Sequence, residues 1–127
     1  MQMAETLFLA PQTGAFDVTE IAQFVSGLGY AVEDLAKRNR FAIFADHDES
    51  TRFVAKRVAD PKISLPYVCV IEIEPDCVTV AQLCEAAELA FAKQFVAWLL
   101  SRYRCNVSDD EGDDLTEAAA RSVDELY

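Results

Sequence analysis

The segment CNVSDDEGDDLTE, residues 105–117, carries six carboxylates, five of them close around its one glycine, and could therefore hold a cation. Calcium prefers oxygen ligands, and an EF-hand loop needs them at its first and twelfth positions around a glycine at the sixth. With Gly112 at the sixth position, Val107 takes the first and Ala118 the twelfth. Neither side chain has an oxygen, so we expect no specific calcium site and no other metal here.

Three other uses of the same acidic segment remain open. Asp113 or Asp114 can cap the helix that follows, because carboxylates near a helix N-terminus accept its free amide hydrogens and oppose its dipole. The other acids either keep an apolar protein in solution or attract a basic macromolecule. In the second case we expect the acids to bind the partner together with two aromatic residues of the preceding helix. These candidate residues are Asp109, Asp110, Glu111, Asp113, Asp114, Glu117, Trp98 and Tyr103.

The net charge of −11 is unevenly distributed along the chain. Residues 106–127 hold eight acidic residues against Arg121 alone, a net charge of −7. Most bases lie elsewhere, at Lys37, Arg38, Arg40, Arg52, Lys56, Arg57 and Lys62. Such a field disfavours nucleic-acid phosphates at the acidic end and steers a basic protein toward it. We therefore expect a basic protein partner and no direct binding to nucleic acid.

Catalytic patterns are weak in this chain. The triplet Asp46-His47-Asp48 suggests a base with an orienting carboxylate. Neighbours on a strand point to opposite faces, however, so His47 is expected to begin a polar turn. Gly27 and Gly29 give G-x-G after a helix rather than after a strand, and the sequence has no G-K-[ST] motif. With neither a dinucleotide fingerprint nor a P-loop, we expect no enzymatic activity and no cofactor.

The four cysteines are too widely spaced to form a C-x-x-C pair. They are Cys69, Cys77, Cys84 and Cys105. The only histidine, His47, leaves a mixed metal site poor in ligands. Buried free thiols in a reducing cytosol are therefore expected, with disulfides or a metal site as the alternatives.

The sequence shows neither an export signal nor a membrane span. Its first residues, MQMAETLFLAPQ, lack the basic region and the longer apolar stretch of a secretory signal. The longest apolar run, residues 78–100, contains Glu85, Glu88 and Lys93, which would be costly inside a bilayer. We therefore expect a cytoplasmic protein that does not bind membranes.

Length and composition indicate one α+β domain spanning residues 1–127, since 52% of the residues are apolar and 26% are charged. Apolar periodicity predicts the order βαββαβ, as in a ferredoxin-like split βαβ repeat, followed by a long helix and a short terminal helix. The expected elements are a strand at 6–10, a helix from Asp17, a hairpin of 30–36 with 40–46, a helix at 49–60, a strand at 67–74, a long helix from Thr79 to about Arg104 and a short helix at about 115–126. The acid-rich stretch 106–114 would form the turn that links the last two helices.

The long helix is apolar nearly all the way round. One stripe comprises Leu83, Ala87, Ala90, Phe91, Phe95, Trp98 and Leu99, and the adjoining face Leu89, Ala92, Val96, Leu100 and Tyr103. Such a helix either lies between the sheet and the terminal helix or is shared with a partner. In the second case Phe95, Trp98 and Tyr103 would supply an interface with a partner or a homodimer contact, because aromatic residues are enriched there.

These features favour a small acidic protein-binding module. We expect an inhibitor or immunity-type protein, or a nucleic-acid-mimicking antagonist, whose partner is a basic toxin, nuclease or effector. One alternative is a small-ligand-binding regulatory domain, because α+β domains with a sheet-edge pocket commonly host ligands. Others are a secretion-type chaperone, which would share the acidity and size, and an enzyme that uses His47.

Overall fold

Six β-strands form one antiparallel sheet in the computed structural model, which describes residues 6–65, 69–81 and 86–127. The strands are β1 (Thr6–Pro11), β2 (Tyr30–Glu33), β3 (Arg40–Phe44), β4 (Cys69–Ile73), β5 (Val78–Ala81) and β6 (Cys105–Asp109). Their order across the sheet is β2-β3-β4-β5-β1-β6. Strands β2 and β6 are therefore its two edges.

Four α-helices and a final 3₁₀ turn accompany the sheet in the described residues. They are α1 (Val18–Ser26), α2 (His47–Ala59), α3 (Ala86–Arg102), α4 (Thr116–Arg121) and the 3₁₀ turn Val123–Leu126. Helix α1 begins as predicted, because Asp17 Oδ1 accepts a hydrogen bond from Glu20 N at 3.1 Å. It ends directly before Gly27. None of the described helices is long and apolar enough to cross a membrane.

The main core lies between one face of the sheet and helices α1, α3 and α4. Leu7 and Leu9 of β1 are fully buried there, as are Phe95 and Leu99 of α3. Helix α1 adds Ile21 to the same cluster. Each of these side chains stabilises the fold by roughly 1.5–3 kcal/mol on leaving water. Helix α3 is thus a central element whose largest side chains are used inside the domain.

Helix α2 covers the opposite face of the sheet, over β2 and β3. Phe53 packs there against Ala42 and Phe44, with the rings of Phe44 and Phe53 5.6 Å apart. Strand β3 is therefore buried on both faces, which explains its continuous apolar run FAIF. Farther along the same face, Phe8 of β1 is 37% exposed.

The α+β class is confirmed, but the ferredoxin-like βαββαβ description does not fit. A split βαβ repeat inserts one strand between the two strands that each of its helices connects. Here β3, β4 and β5 all lie between β1 and β2, and β3 and β4, which α2 connects, are direct neighbours. The described chain also has two more strands than predicted, β5 and β6, and β1 lies between them.

The predicted start of the long helix, at Thr79, is wrong. Thr79, its expected N-cap, lies instead within β5 and pairs with β1. Val78 and Val80 on either side are buried, and alternating β-branched residues favour a strand over a helix. The described helix α3 is accordingly shorter than predicted, at 17 residues. Leu83 of the predicted stripe and Cys84 lie outside the described residues.

The acidic segment does not link two helices, because its first residues form β6. Cys105 and Val107 are buried on the core side while Asn106 is exposed, which is the alternation expected of a strand. The acids therefore connect a strand to α4. The predicted terminal helix is also interrupted, because Ser122 is extended (φ −165°, ψ 138°) and separates α4 from the 3₁₀ turn.

Several local predictions are confirmed. Strands β2 and β3 form the predicted hairpin, with Glu33 opposite Phe41. Asn39 in its basic turn adopts a positive φ of 61°, which asparagine tolerates better than most residues. The predicted helix at 49–60 is confirmed within α2 up to Ala59, and Asp60 is the extended C-cap. The predicted strand at 67–74 is confirmed as β4, and its first residues, 67 and 68, lie outside the described residues.

Candidate partner-binding surface

Asp109, the last residue of β6, organises the acidic turn, which is defined here as residues 110–113. Its Oδ1 accepts hydrogen bonds from Glu111 N at 3.0 Å and from Asp113 N at 2.9 Å. The backbone closes the same turn, because Asp109 N donates to Asp113 O at 3.1 Å. Gly112 takes a positive φ of 85°, a conformation that suits glycine. Asp109 is therefore a structural acid that fixes the positions of its neighbours.

Asp114 has a second structural role, at the start of α4. The N-cap of α4 is Leu115, without a side-chain cap, so neither Asp113 nor Asp114 occupies the predicted capping position. Asp114, one residue before the N-cap, accepts a hydrogen bond from Thr116 N at 3.0 Å through its Oδ1. Hydrogen bonds from the Thr116 hydroxyl and amide lower the pKa of the Asp114 carboxyl. Thr116 Oγ1 also accepts from Val107 N at 3.0 Å, and Leu115 N donates to Val107 O at 2.7 Å. The outer edge of β6 is thus covered by its own chain, which protects it from pairing with another strand.

The remaining acids of the segment are presented to solvent. Asp124 pairs with Lys93 at 3.2 Å and Glu125 with Arg121 at 2.8 Å. Four other carboxylates are exposed and make no ion pair within the described part of the chain. They are Asp110, Glu111, Asp113 and Glu117. Of the predicted binding acids, these four are the ones that a partner could contact.

Seven of the eleven basic residues, those from Lys37 to Lys62, belong to the β2–β3 hairpin, α2 and the residue stretch after it, toward the opposite edge of the sheet. Lys37 in the β2–β3 hairpin pairs with Glu72 and, at 3.2 Å, with Glu74. Arg40 Nε donates to Asp34 Oδ2 at 2.7 Å. Edges β2 and β6 are separated by five strand spacings, or about 24 Å at ~4.8 Å each. The charge asymmetry of the sequence is therefore also an asymmetry in space, and two of these bases, Lys37 and Arg40, are already in ion pairs.

Trp98 and Tyr103, the two predicted aromatic contacts, both pack against the α1 region. Trp98 stacks on Phe24, with ring centroids 4.2 Å apart and planes inclined by 6°. Tyr103 meets Phe16 edge to face at 5.0 Å, and its hydroxyl accepts a hydrogen bond from Asp17 N at 3.1 Å. Both side chains are half-buried. The length of β6, roughly 14 Å, separates Tyr103 from the acidic turn.

A cleft of about 510 Å³ opens between α3, α4 and the start of β6. Its lining residues are Gln12, Ala97, Leu100, Ser101, Tyr103, Arg104, Cys105, Thr116, Ala119, Ala120 and Val123. Tyr103 borders this cleft, whereas Trp98 does not. At its other end the cleft reaches Thr116, whose amide donates a hydrogen bond to Asp114. The cleft therefore extends from the predicted aromatic residue to the base of the acidic turn.

Sequence reasoning could not find this cleft, because its walls come from distant parts of the chain. Gln12 reaches it only because Gln12 Nε2 donates to Cys105 O at 3.3 Å and Gln12 N donates to Arg104 O at 2.8 Å. Alanines line much of the wall of α4, where larger side chains would fill the space. The alanine run at 118–120, whose Ala119 and Ala120 line the cleft, is the local sequence feature that could have indicated it.

The described thiols are poorly suited to nucleophilic chemistry. Burial raises the pKa of Cys105 to about 11, and its Sγ donates to Tyr103 O at 3.6 Å. Burial also raises the pKa of Cys77. A thiol with a raised pKa stays protonated at neutral pH and reacts slowly. Within the described residues, no cluster of three or more His, Cys, Asp or Glu side chains is arranged to hold a metal ion.

His47 is the first residue of α2 rather than part of a turn. Asp46 precedes it as N-cap, and its Oδ1 accepts a hydrogen bond from Asp48 N at 2.8 Å. The His47 ring lies 5.3 Å from the ring of Tyr30, at an interplanar angle of 65°. Asp46 therefore serves the helix backbone, while the described ring contact of His47 is with β2.

The chain thus forms an α+β domain with an acidic edge and an adjoining cleft. No known family model, curated protein or solved structure matches it significantly.

Proposed function

We propose that the protein is a small binding module whose acidic edge docks a basic partner protein. The observation that carries this proposal is that some acids of the segment build the turn while others are exposed to solvent. Asp109 and Asp114 hold the turn in place, while Asp110, Glu111 and Asp113 project from it without a described ion pair. A preformed turn presents its charges at little ordering cost, which favours fast and selective association.

The cleft beside the turn supports a second, apolar contribution to binding. It is lined by Leu100, Ala119, Ala120 and Val123, and Tyr103 stands at its border. An apolar or aromatic side chain of the partner would be desolvated in such a cleft, as interface hot spots are. Charges at the edge then raise the association rate, and the cleft slows dissociation.

An acidic edge that binds a basic protein fits an inhibitor, an immunity-type protein or a nucleic-acid mimic. The natural targets of such proteins, toxins, nucleases or effectors with basic surfaces, are attracted by the same field that repels nucleic-acid phosphates. The net charge of −11 supports selection of a basic protein over nucleic acid.

Affinity capture from a lysate of the native host tests the proposal with a charge-matched control. Asp110→Asn combined with Glu111→Gln changes the net charge by the same amount as Asp76→Lys, which lies in the β4–β5 turn. We expect a basic protein to be enriched at low salt on the wild type and on Asp76→Lys, and to be lost from the double variant. Recovery of no basic protein, or equal recovery on all three, would contradict the proposal.

A second candidate function is the binding of a small anionic amphipathic ligand. The cleft of about 510 Å³ falls within the range of about 300–1,000 Å³ typical of small-molecule sites. Arg104 and Gln12 offer polar contacts at one wall, and Leu100 and Val123 offer apolar ones. Calorimetry with octanoate tests this function, and Ala120→Phe, which fills the cleft, should abolish any binding.

A further inference from the structure

Strand β2 is an edge strand whose outer backbone groups can be identified from its register. Asp34 N donates to Arg40 O at 2.8 Å, which makes that pair hydrogen-bonded. Because hydrogen-bonded and non-bonded pairs alternate along an antiparallel ladder, Val32 also bonds to β3. The N–H and C=O groups of Ala31 and Glu33 consequently point away from the sheet.

Arg57 confirms the direction of these groups, since its Nη1 donates to Glu33 O at 2.6 Å from the outer side. No described residue bonds to the outward N–H or C=O of Ala31. The opposite edge differs, because there the segment at Leu115 and Thr116 covers β6. Within the described residues, β2 is thus the less covered of the two edges: it is open at Ala31, while Arg57 occupies the C=O of Glu33 and would share or release it when another strand pairs.

Exposed apolar side chains flank this open edge. Four of the five large apolar side chains that are exposed in the described chain lie here. They are Tyr30 (46% exposed), Leu35 (65%), Val54 (39%) and Val58 (80%). Helical spacing places Val54 and Val58 on the same side of α2 as His47. That side faces β2, because the His47 ring contacts Tyr30. An apolar strip on α2 therefore runs beside the open strand.

We propose that this surface binds a second copy of the same chain, with the two β2 strands paired antiparallel in one continuous sheet. A twofold axis near the middle of β2 would place the two α2 helices on the same face and antiparallel. Each α2 contacts both β2 and β3. At a strand spacing of ~4.8 Å, the helix axes would then lie about 10 Å apart, which matches the 8–10 Å of packed helices. Val54 and Val58 fall in the seam between them.

The charges of α2 fit an antiparallel pair. Its first turn carries Asp48 and its last turn carries Arg57, whereas Glu49 and Lys56 lie on the side of the helix away from Val54 and Val58. A twofold axis brings the acidic end of one α2 beside the basic end of the other, and it opposes the two helix dipoles in the same way. Like charges therefore stay apart at this seam.

The position of the acidic edge also selects β2 for self-association. Pairing through β6 would bring together two copies of a segment, residues 106–127, that carries a net charge of −7. Pairing through β2 places these segments at the far ends of the assembly, well beyond a Debye length of ~8 Å. Both acidic edges then remain free, so the dimer presents two copies of the proposed partner-binding surface.

Sedimentation equilibrium of the full chain over a range of concentrations tests the dimer. Val54→Lys with Val58→Lys places charge in the seam. Ala55→Lys with Ala59→Lys, the matched control, adds the same charge at exposed positions about 100° farther round the helix. We expect the seam variant to raise the dimer Kd by about tenfold or more and the control to leave it within about twofold.

Amide exchange measured by NMR provides a second readout that does not depend on any variant. The Ala31 amide should exchange more slowly as the protein concentration rises, whereas the Val32 amide, already bonded to β3, should not change. A chain that remains monomeric at millimolar concentration would overturn the proposal. A dimer that the two lysine pairs weaken equally, or that leaves Ala31 exchange unchanged, would overturn it as well.

Discussion

Asp109 and Asp113 hold each other across the acidic turn through two reciprocal contacts. Asp109 N donates to Asp113 O at 3.1 Å, and Asp113 N donates to Asp109 Oδ1 at 2.9 Å. The Asp113 carboxylate takes no part in either contact and stays exposed. One acid of the pair thus builds the turn, and the other is presented by it.

This difference predicts unequal costs for neighbouring acids. Asp109→Ala removes the acceptor of two turn amides and should destabilise the protein by about 1–2 kcal/mol. Asp110→Ala, one residue on, should change the free energy of unfolding by less than about 0.5 kcal/mol. Urea denaturation of both variants measures the difference. Equal costs would show that the turn does not depend on Asp109.

Asp114 should make the stability depend on pH below its usual titration range. The Thr116 hydroxyl and amide lower the pKa of this carboxyl in the folded protein. Its contribution is therefore present above the unfolded pKa of about 3.9 and is lost as the pH falls through the lower folded value. Urea midpoints measured across the acid range should fall less steeply for Asp114→Asn than for wild type. Parallel curves would contradict the assigned role.

The stack of Trp98 on Phe24 should couple α3 to α1. Phe24→Ala should destabilise the protein by about 3 kcal/mol, and a double-mutant cycle with Trp98→Ala should show coupling of about 0.5–1.5 kcal/mol. Trp98 is the only tryptophan, so a red shift of its emission in Phe24→Ala reports loss of the stack directly. Unshifted emission would mean that the stack does not form in solution.

Cys105 should resist alkylation in the folded protein. Its pKa of about 11 leaves little thiolate at neutral pH, and its side chain is buried. Peptide-resolved mass spectrometry after treatment with iodoacetamide should show Cys105 modified at least about tenfold more slowly in the native protein than in urea. Equal rates in both conditions would contradict the burial of this thiol.

Local signals predicted the parts of the fold that local chemistry determines. The Asp17 cap and the β2–β3 hairpin around Asn39 could be anticipated because each depends on residues close together in sequence. Strands β5 and β6 could not, because their partners are distant. Val107 pairs with Leu9 at the other end of the chain, and no short-range pattern encodes that contact.

The candidate surface shows the same limit. Composition identified the acids, but only the fold separates Asp109 and Asp114, which accept backbone hydrogen bonds, from Asp110 and Glu111, which do not. Which of these acids accept backbone hydrogen bonds depends on where β6 ends. The cleft beside Tyr103 is likewise a product of helix packing and not of any sequence motif.

The central claim, that the exposed acids of the turn speed capture of a basic partner, is tested most directly by association rates. Surface plasmon resonance with the captured partner immobilised would compare wild type, Asp110→Asn with Glu111→Gln, and the charge-matched Asp76→Lys across a salt series. At low salt we expect the double variant alone to associate several-fold more slowly, with its off-rate nearly unchanged and the difference vanishing at high salt. Equal association rates for the double variant and wild type at low salt would contradict the account.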